Sequence, residues 1–443
     1  MNSPLDSIPH IRLARTRSCG RPQGFLYVAV LFTTLIVMVS VTAALSISTT
    51  TLRSETNRVG RDEALRLAES EIQRLAAMMS QDTQWRIDAT NDAFTDWYSP
   101  TVDGVASDHR EVRYRLADVD DDLTDDPFDI VELTVHARVH RSEVAIRVEM
   151  ETDPKPLNLL DYALSANDDL RLESGGALSC ERPVQLVDDC KTSSYGFLTT
   201  PQLECNGRME ITLRGDRTTS NVELPAYDVV DRYVSVGTEI SRLAIPRVGG
   251  ILTIQDVVLS STSSPYGDVD AAGIYWIDAQ STKVAISNCR IDATLAILNA
   301  TEVEISGGVV WHYPKNPDVI LATNAFVTFT NVDASLSETD RGVNFNPPST
   351  PYRQTFSNSS AIDTFPTELR GILYTSDSMQ FDPTTTNATL RIVGCVIGYD
   401  IRVDGSVAIG QFDEAIRTPP LGLLDPVPRR FIRGTARRIP SPQ

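Results

Sequence analysis

Val284-Ala-Ile-Ser-Asn288, Val303-Glu-Ile-Ser-Gly307 and Val327-Thr-Phe-Thr-Asn331 are three versions of one short unit: apolar, any, apolar, any, then Asn or Gly. The unit reads again at Leu252-Thr-Ile-Gln-Asp256, Leu390-Arg-Ile-Val-Gly394 and Ile401-Arg-Val-Asp-Gly405. Residues two apart on a strand share a face, so the two apolar side chains of a unit point the same way. Asp, Asn and Gly at the fifth place tolerate the left-handed backbone that turns a corner. The steps from Val284 are 19 and then 24 residues, the length of one solenoid coil with loops of variable size. From about residue 160 Ser, Thr, Asn and Gly rise, Lys nearly disappears and helix signals vanish. These patterns predict a right-handed parallel β-helix over residues 160–412, with an ordinary β-sandwich as the competing reading, followed by a Pro/Arg-rich tail over 413–443.

If the coils stack in chain order, Cys289 and Cys395 occupy equivalent corners, each directly after its corner residue. Coils near Val303, Val327 and Gly371 then separate them by roughly 15–20 Å at ~4.8 Å per coil. A disulfide needs under about 7 Å, so two separate apolar thiols are expected. Cys180, Cys190 and Cys205 cluster in sequence and read equally as disulfide partners or as buried thiols.

Before the repeats, residues 111–153 alternate as strands, at Glu111 to Leu116, Val131 to Val139 and Val144 to Met150. This is a small antiparallel β region. An acidic loop interrupts it, in which Asp118, Asp120, Asp122, Asp126 and Asp129 match positions 1, 3, 5, 9 and 12 of a calcium loop. Leu123 stands where such a loop needs Gly, and Asp129 where it has Glu. A Ca²⁺ ion is the one cofactor this sequence suggests; a solvated hairpin loop is the other reading. His136 and His140, four apart on a strand, lie about 13 Å from each other and share no ion.

At the other end, residues 25–47 carry no charge. As a helix this run spans roughly 35 Å, enough for a bilayer core. Arg12, Arg15, Arg17 and Arg21 precede it against Asp6. The basic flank favours a cytoplasmic N-terminus and an exported C-terminal body. The helix continues past the membrane. Leu65, Ala68, Ile72, Leu75 and Met79 form one stripe, with Glu69, Ser70, Glu71 and Arg74 off it. The division is therefore a leader over 1–24, a transmembrane helix over 25–47 and its amphipathic extension over 48–85. The whole is α+β and mostly β. Its net charge is −19, about −22 after the leader, which repels nucleic acid and sets nucleic-acid binding aside.

A basic leader, then Gly24-Phe25, then an uncharged helix that becomes amphipathic, resembles the type IV pilins and type II secretion pseudopilins. The resemblance covers residues 17–85. It implies that a prepilin peptidase cuts after Gly24, that Phe25 begins the mature chain, and that the partners are the inner membrane and other pilin or pseudopilin subunits. Major subunits of that family carry Glu at the fifth mature position, where this chain has Ala29. In this it is similar to PilX-type minor pilins. The body resembles planctomycete pilin-like proteins with a β-helical body, through Pro156 to Leu164, Asp169 to Leu172, Gly371 to Tyr374, Gly394 to Ile397, Phe412 to Ile416 and Pro419 to Gly422.

No catalytic motif accompanies this. GxSxG, HExxH and GxxxxGK[ST] are absent, and the five histidines include one in the leader. Asp256, Asp292, Asp333 and Asp404 are the carboxylates on coil faces, Asp292 and Asp333 read as turn residues, and Arg290 and Arg402 stand isolated. Tyr266, Tyr275, Trp276, Trp311 and Tyr313 could stack on sugar rings but more often such residues fill loops. The sequence thus reads as a non-enzymatic, membrane-anchored minor pilin or pseudopilin-like structural protein. The alternative is a surface-tethered β-helical protein that binds or acts on carbohydrate.

Overall fold

The computed structural model describes residues 23–440 except 83–84, 103–104, 107–108, 119, 125, 174, 193–194, 220–228, 315–317, 354, 383–388, 414–416 and 426–428. Residues 1–22 of the leader, with Cys19, lie outside the described residues. The chain is mostly β, with one long N-terminal helix and a few short ones.

Helix α1, Gln23–Met79, has 57 residues and is about 85 Å long at 1.5 Å per residue. Its two halves differ. Every residue from 26 to 59 is exposed, among them Leu26, Leu31, Phe32, Leu35, Ile36 and Met38. From Gly60 onward Ala64, Ala68, Ile72, Leu75 and Met79 are buried against a sheet. Gly60 allows the closest approach, since a Cβ there would meet Ser142 Oγ at 2.8 Å. Leu65, expected on the buried stripe, is only partly covered. Glu71, expected off it, is 2% exposed and accepts hydrogen bonds from Arg74 and from the Tyr98 hydroxyl.

That sheet is antiparallel: Arg110–Asp118, Val131–Val139 and Ser142–Thr152. Its last edge is completed by Arg429–Phe431 and Arg437–Ile439, both paired with Ser142–Thr152. The segment read from sequence as a tail is therefore partly a component of this sheet.

The rest is a stack of three parallel ladders. The first ladder runs through Ile251–Gln255, 284–287, 303–306, Val327–Val332, Met379–Asp382, Ile401–Val403, Leu170–Leu172 and Cys190–Thr192. The apolar pairs of the repeat all face its interior. Leu252, Ile254, Val284, Ile286, Val303, Ile305, Val327, Phe329, Ile401 and Val403 are at most 1% exposed. Four of the six corner residues take the expected left-handed backbone, with φ of 54° at Asp256, 47° at Asn288, 66° at Gly307 and 48° at Asn331, whereas Gly394 and Gly405 do not. The second ladder holds Val258–Ser260, 289–292, 309–312, 368–370, 390–393, Ser406–Gly410, Ala177–Cys180 and 197–199. The third holds Ile274–Asp278, Thr294–Leu298, 319–323, 372–375, 395–398, Leu164–Ala166 and Val184–Leu186.

Three sequence expectations are corrected here. The coils do not stack in chain order. Residues 396–398, 401–403 and 406–409 pair with 164–166, 170–172 and 177–180, so the first coil sits on the last. The chain enters the stack in its middle, winds outward to 218, crosses to the far end through helix Val229–Val236, and winds back to meet its own entry. The unit at Leu390 lies in the second ladder; Met379-Gln-Phe381 takes its place in the first, and the rings of Phe329 and Phe381 stack 4.7 Å apart. Finally, Cys289 faces the interior while Cys395, in the third ladder, packs outside the stack against the Leu159 carbonyl, so their corners are not equivalent.

The outer face of the third ladder is apolar and covered. Val229, Val230 and Tyr233 of the crossing helix lie on it, with Leu159, Leu160 and Leu423. Arg232 of the same helix pairs with Asp126 and so joins the stack to the acidic loop of the antiparallel sheet.

Candidate functional site

Two places follow from these packing facts: the uncovered half of α1 and a cleft on the second ladder. In α1, Gly24 and Phe25 lie in the first turns of the helix. Downstream, four hydroxyls of the apolar run are satisfied within it. Thr33, Thr34, Ser40 and Thr42 each donate to a carbonyl three or four residues back, at 2.8–2.9 Å. A helix that satisfies its own backbone and hydroxyls can leave water without penalty. It is long and apolar enough to cross a membrane.

The acidic loop is organised around an arginine. Arg86, 6% exposed, donates to Asp118 Oδ2 at 3.0 Å and to the carbonyls of Leu123 and Asp129 at 2.9 and 2.8 Å. Asp118, Asp120 and Asp129 bring carboxylate oxygens within 4.8 Å of one another. Asp122 and Asp126 do not join them. Asp122 accepts from the Thr124 amide and hydroxyl, and Asp126 caps the Phe128 amide and pairs with Arg232. Leu123, the residue that departs from a calcium loop, is 2% exposed and anchors the loop in the core. A second acidic corner, Asp168, Asp169 and Asp188, escaped the sequence reading because it forms only when coils stack. Arg171 and Lys191 already pair with Asp169 there.

His136 Nδ1 donates to the Glu143 carboxylate, 3.1 Å away, and burial lowers its pKa; His140 instead lies against His109. Among the described residues the cysteines are all free and buried. Burial pushes the Cys395 thiol up to about 12, and Cys180, Cys190 and Cys289 up as well.

The cleft is built by register. Asp292 pairs with His312, and His312 with Arg370, so three successive strands of the second ladder place these side chains in one column. Arg290, read as isolated, is fully buried. It pairs with Asp292 and donates to the carbonyls of Phe345, Thr350 and Pro351. Those carbonyls belong to an insertion between Val327–Val332 and Glu368–Thr375, held by Glu338, which accepts from the amides of Phe345 and Asp363. Asp292 is thus no turn residue; a buried guanidinium fixes it. His312 Nδ1 lies 3.8 Å from Asp292 and its Nε2 3.7 Å from Glu368. Burial holds the His312 pKa below the usual imidazole value, against the pull of both carboxylates. Arg353 from the insertion reaches Glu368 at 3.3 Å. Of the aromatics singled out from sequence, Trp311 and Tyr275 are fully buried, their polar atoms bonded to the carbonyls of Ala293 and Ser260. Tyr313 lines the cleft.

No protein-family model matches the chain, and no curated protein matches it. Among solved structures it is similar to the competence-associated pilin ComZ from Thermus thermophilus, at 11% identity and a TM-score of 0.30, over 86% of this chain and 98% of that one. So loose a likeness bears on neither fold detail nor function.

The sequence missed His312 as a site residue. The signal lay in the repeat: Asp292 follows Val284 by eight residues and His312 follows Val303 by nine. A single irregularity between Ser287 and Cys289 makes the two columns coincide.

Proposed function

We propose that this protein is a membrane-anchored minor pilin or pseudopilin-like structural subunit of a type IV pilus or type II secretion apparatus. Its N-terminus is cytoplasmic and its β body is exported. One observation carries the reading: a single continuous helix is uncovered through residue 59, uncharged from residue 25 to residue 47, and docked on a sheet from residue 60. The uncovered half needs lipid or like helices around it, and the docked half fixes the body directly to that anchor. The parallel stack is read as a right-handed β-helix, the hand that parallel crossovers almost always take. The basic residues before α1 support the orientation, and Gly24-Phe25 supports cleavage by a prepilin peptidase. The body's role is structural, without catalysis. A Ca²⁺ ion bound by the acidic loop remains a proposal that requires Asp118 to exchange Arg86 for the ion.

Ala29 lacks the carboxylate that pairs with a neighbouring subunit's N-terminal amine in the resembled family. The chain is then incorporated in small numbers and does not polymerise alone. Purified full-length protein, incubated under conditions that polymerise a major pilin, should give no filaments by electron microscopy. Long filaments of this chain alone would contradict the minor-subunit role.

A further inference from the structure

The cleft on the second ladder has a volume of about 380 Å³ and is lined by Asp292, His312, Tyr313, Pro314, Arg353 and Arg370. That is the lower end of the range of small-ligand sites and far more than one water needs. Two atoms at this place, Asp292 Oδ1 and His312 Nε2, are buried and have no hydrogen-bond partner within the protein. His312 is 8% exposed. Buried polar atoms left alone are costly, and protein interiors rarely keep them without a reason. Here they sit on neighbouring strands of the sheet, with Asp292 fixed from behind by fully buried Arg290.

The chemistry of the walls selects the ligand. Asp292 only accepts hydrogen bonds, Arg353 only donates, and a neutral imidazole does one of each. A hydroxyl both donates and accepts, so adjacent hydroxyls on one ring can match such a row. Asp292 and Glu368 on either side of His312 repel an anion, while Arg290, Arg353 and Arg370 repel a cation. Tyr313 and Tyr352, the latter 5.8 Å from the His312 ring, add aromatic surface of the kind that packs against pyranose C–H faces. We propose that this cleft binds a neutral saccharide, with Asp292, His312 and Arg353 hydrogen-bonding vicinal hydroxyls and Tyr313 bearing on the ring face. The site does not depend on the pilin-like reading, because a body on any membrane tether presents the same cleft.

The test uses the full chain in lipid nanodiscs, free of sugar-based detergent, titrated calorimetrically with tetrasaccharides of neutral α-glucan, β-glucan, mannan, xylan and chitin, and with an oligogalacturonate. At least one neutral oligosaccharide should bind with a sub-millimolar Kd, weakened about tenfold or more in both H312Q and R353A. Arg353 is half exposed, so R353A removes a donor without emptying the core, and its melting curve should match the parent. The proposal is overturned if no neutral oligosaccharide binds, if R353A binds as the parent does, or if the oligogalacturonate binds best.

Discussion

The first half of α1 and the parallel stack both rest on apolar residues, and the two sets are opposite in fate. In the stack the apolar residues of the repeat are covered by the coils above and below, and the outer apolar face of the third ladder is covered by the crossing helix. In α1 none of the apolar residues from Leu26 to Ile47 is covered by anything in the chain. Apolar burial is worth about 25 cal/mol per Å², so the first set acts on folding and the second only on where the chain resides. Changes in one should therefore alter stability without altering location, and changes in the other the reverse.

The largest effect should come from the helix. Val37→Arg places a charge near the centre of the apolar run, which costs insertion about 2.5–3.5 kcal/mol. Most of the chain should leave the membrane fraction, while the melting of the folded β body stays within about 0.5 kcal/mol of the parent. Melting and location shifting together would break the comparison. In the stack, Phe329→Ala removes a fully buried ring stacked on Phe381 and should cost about 3–5 kcal/mol in denaturant unfolding, with membrane association unchanged.

A smaller loss should follow Gly394→Ala. A Cβ there would sit 1.7 Å from the carbonyl oxygen of Gly371, itself at φ 143°, so the bend between second and third ladders must open. Overpacking of this kind costs about 1–3 kcal/mol.

The smallest effect concerns pH. His312 and His136 both have pKa values lowered by burial. The unfolded chain takes up protons near pH 6.5 and the native chain only at lower pH. Their contribution is thus complete above about 6.5 and is lost as pH falls below it. H312Q should flatten the fall in melting temperature between neutral and mildly acidic pH; an unchanged slope would mean that the ring titrates alike in the folded and unfolded chain, and a steeper one that Asp292 and Glu368 hold it protonated.

What the sequence made legible was local. The alternation of Val284-Ala-Ile286 and the Asn288 corner depend on neighbours in the chain, and both stand as read. The end of the uncharged run at residue 47 was legible, since charge enters at Arg53, but docking begins only at Gly60, where a partner sheet decides it. What stayed hidden depends on distant partners. Glu71 is buried because Tyr98 and Arg74 satisfy it, and no helical pattern contains Tyr98. The Leu390 unit alternates as the others do, so alternation alone could not assign its ladder. Nor could it show that Leu164–Ala166 stacks on residues 396–398, since parallel strands of the same pattern fit either end of a stack. The column of Asp292, His312 and Arg370 needed both that register and the insertion that covers it.

N-terminal sequencing of the protein recovered from its native membrane tests the central claim most directly. The account predicts a chain that begins at Phe25, with the residues from 26 onward retained as the anchor. An intact Met1, or a start beyond residue 45 that removes the apolar helix, would contradict it.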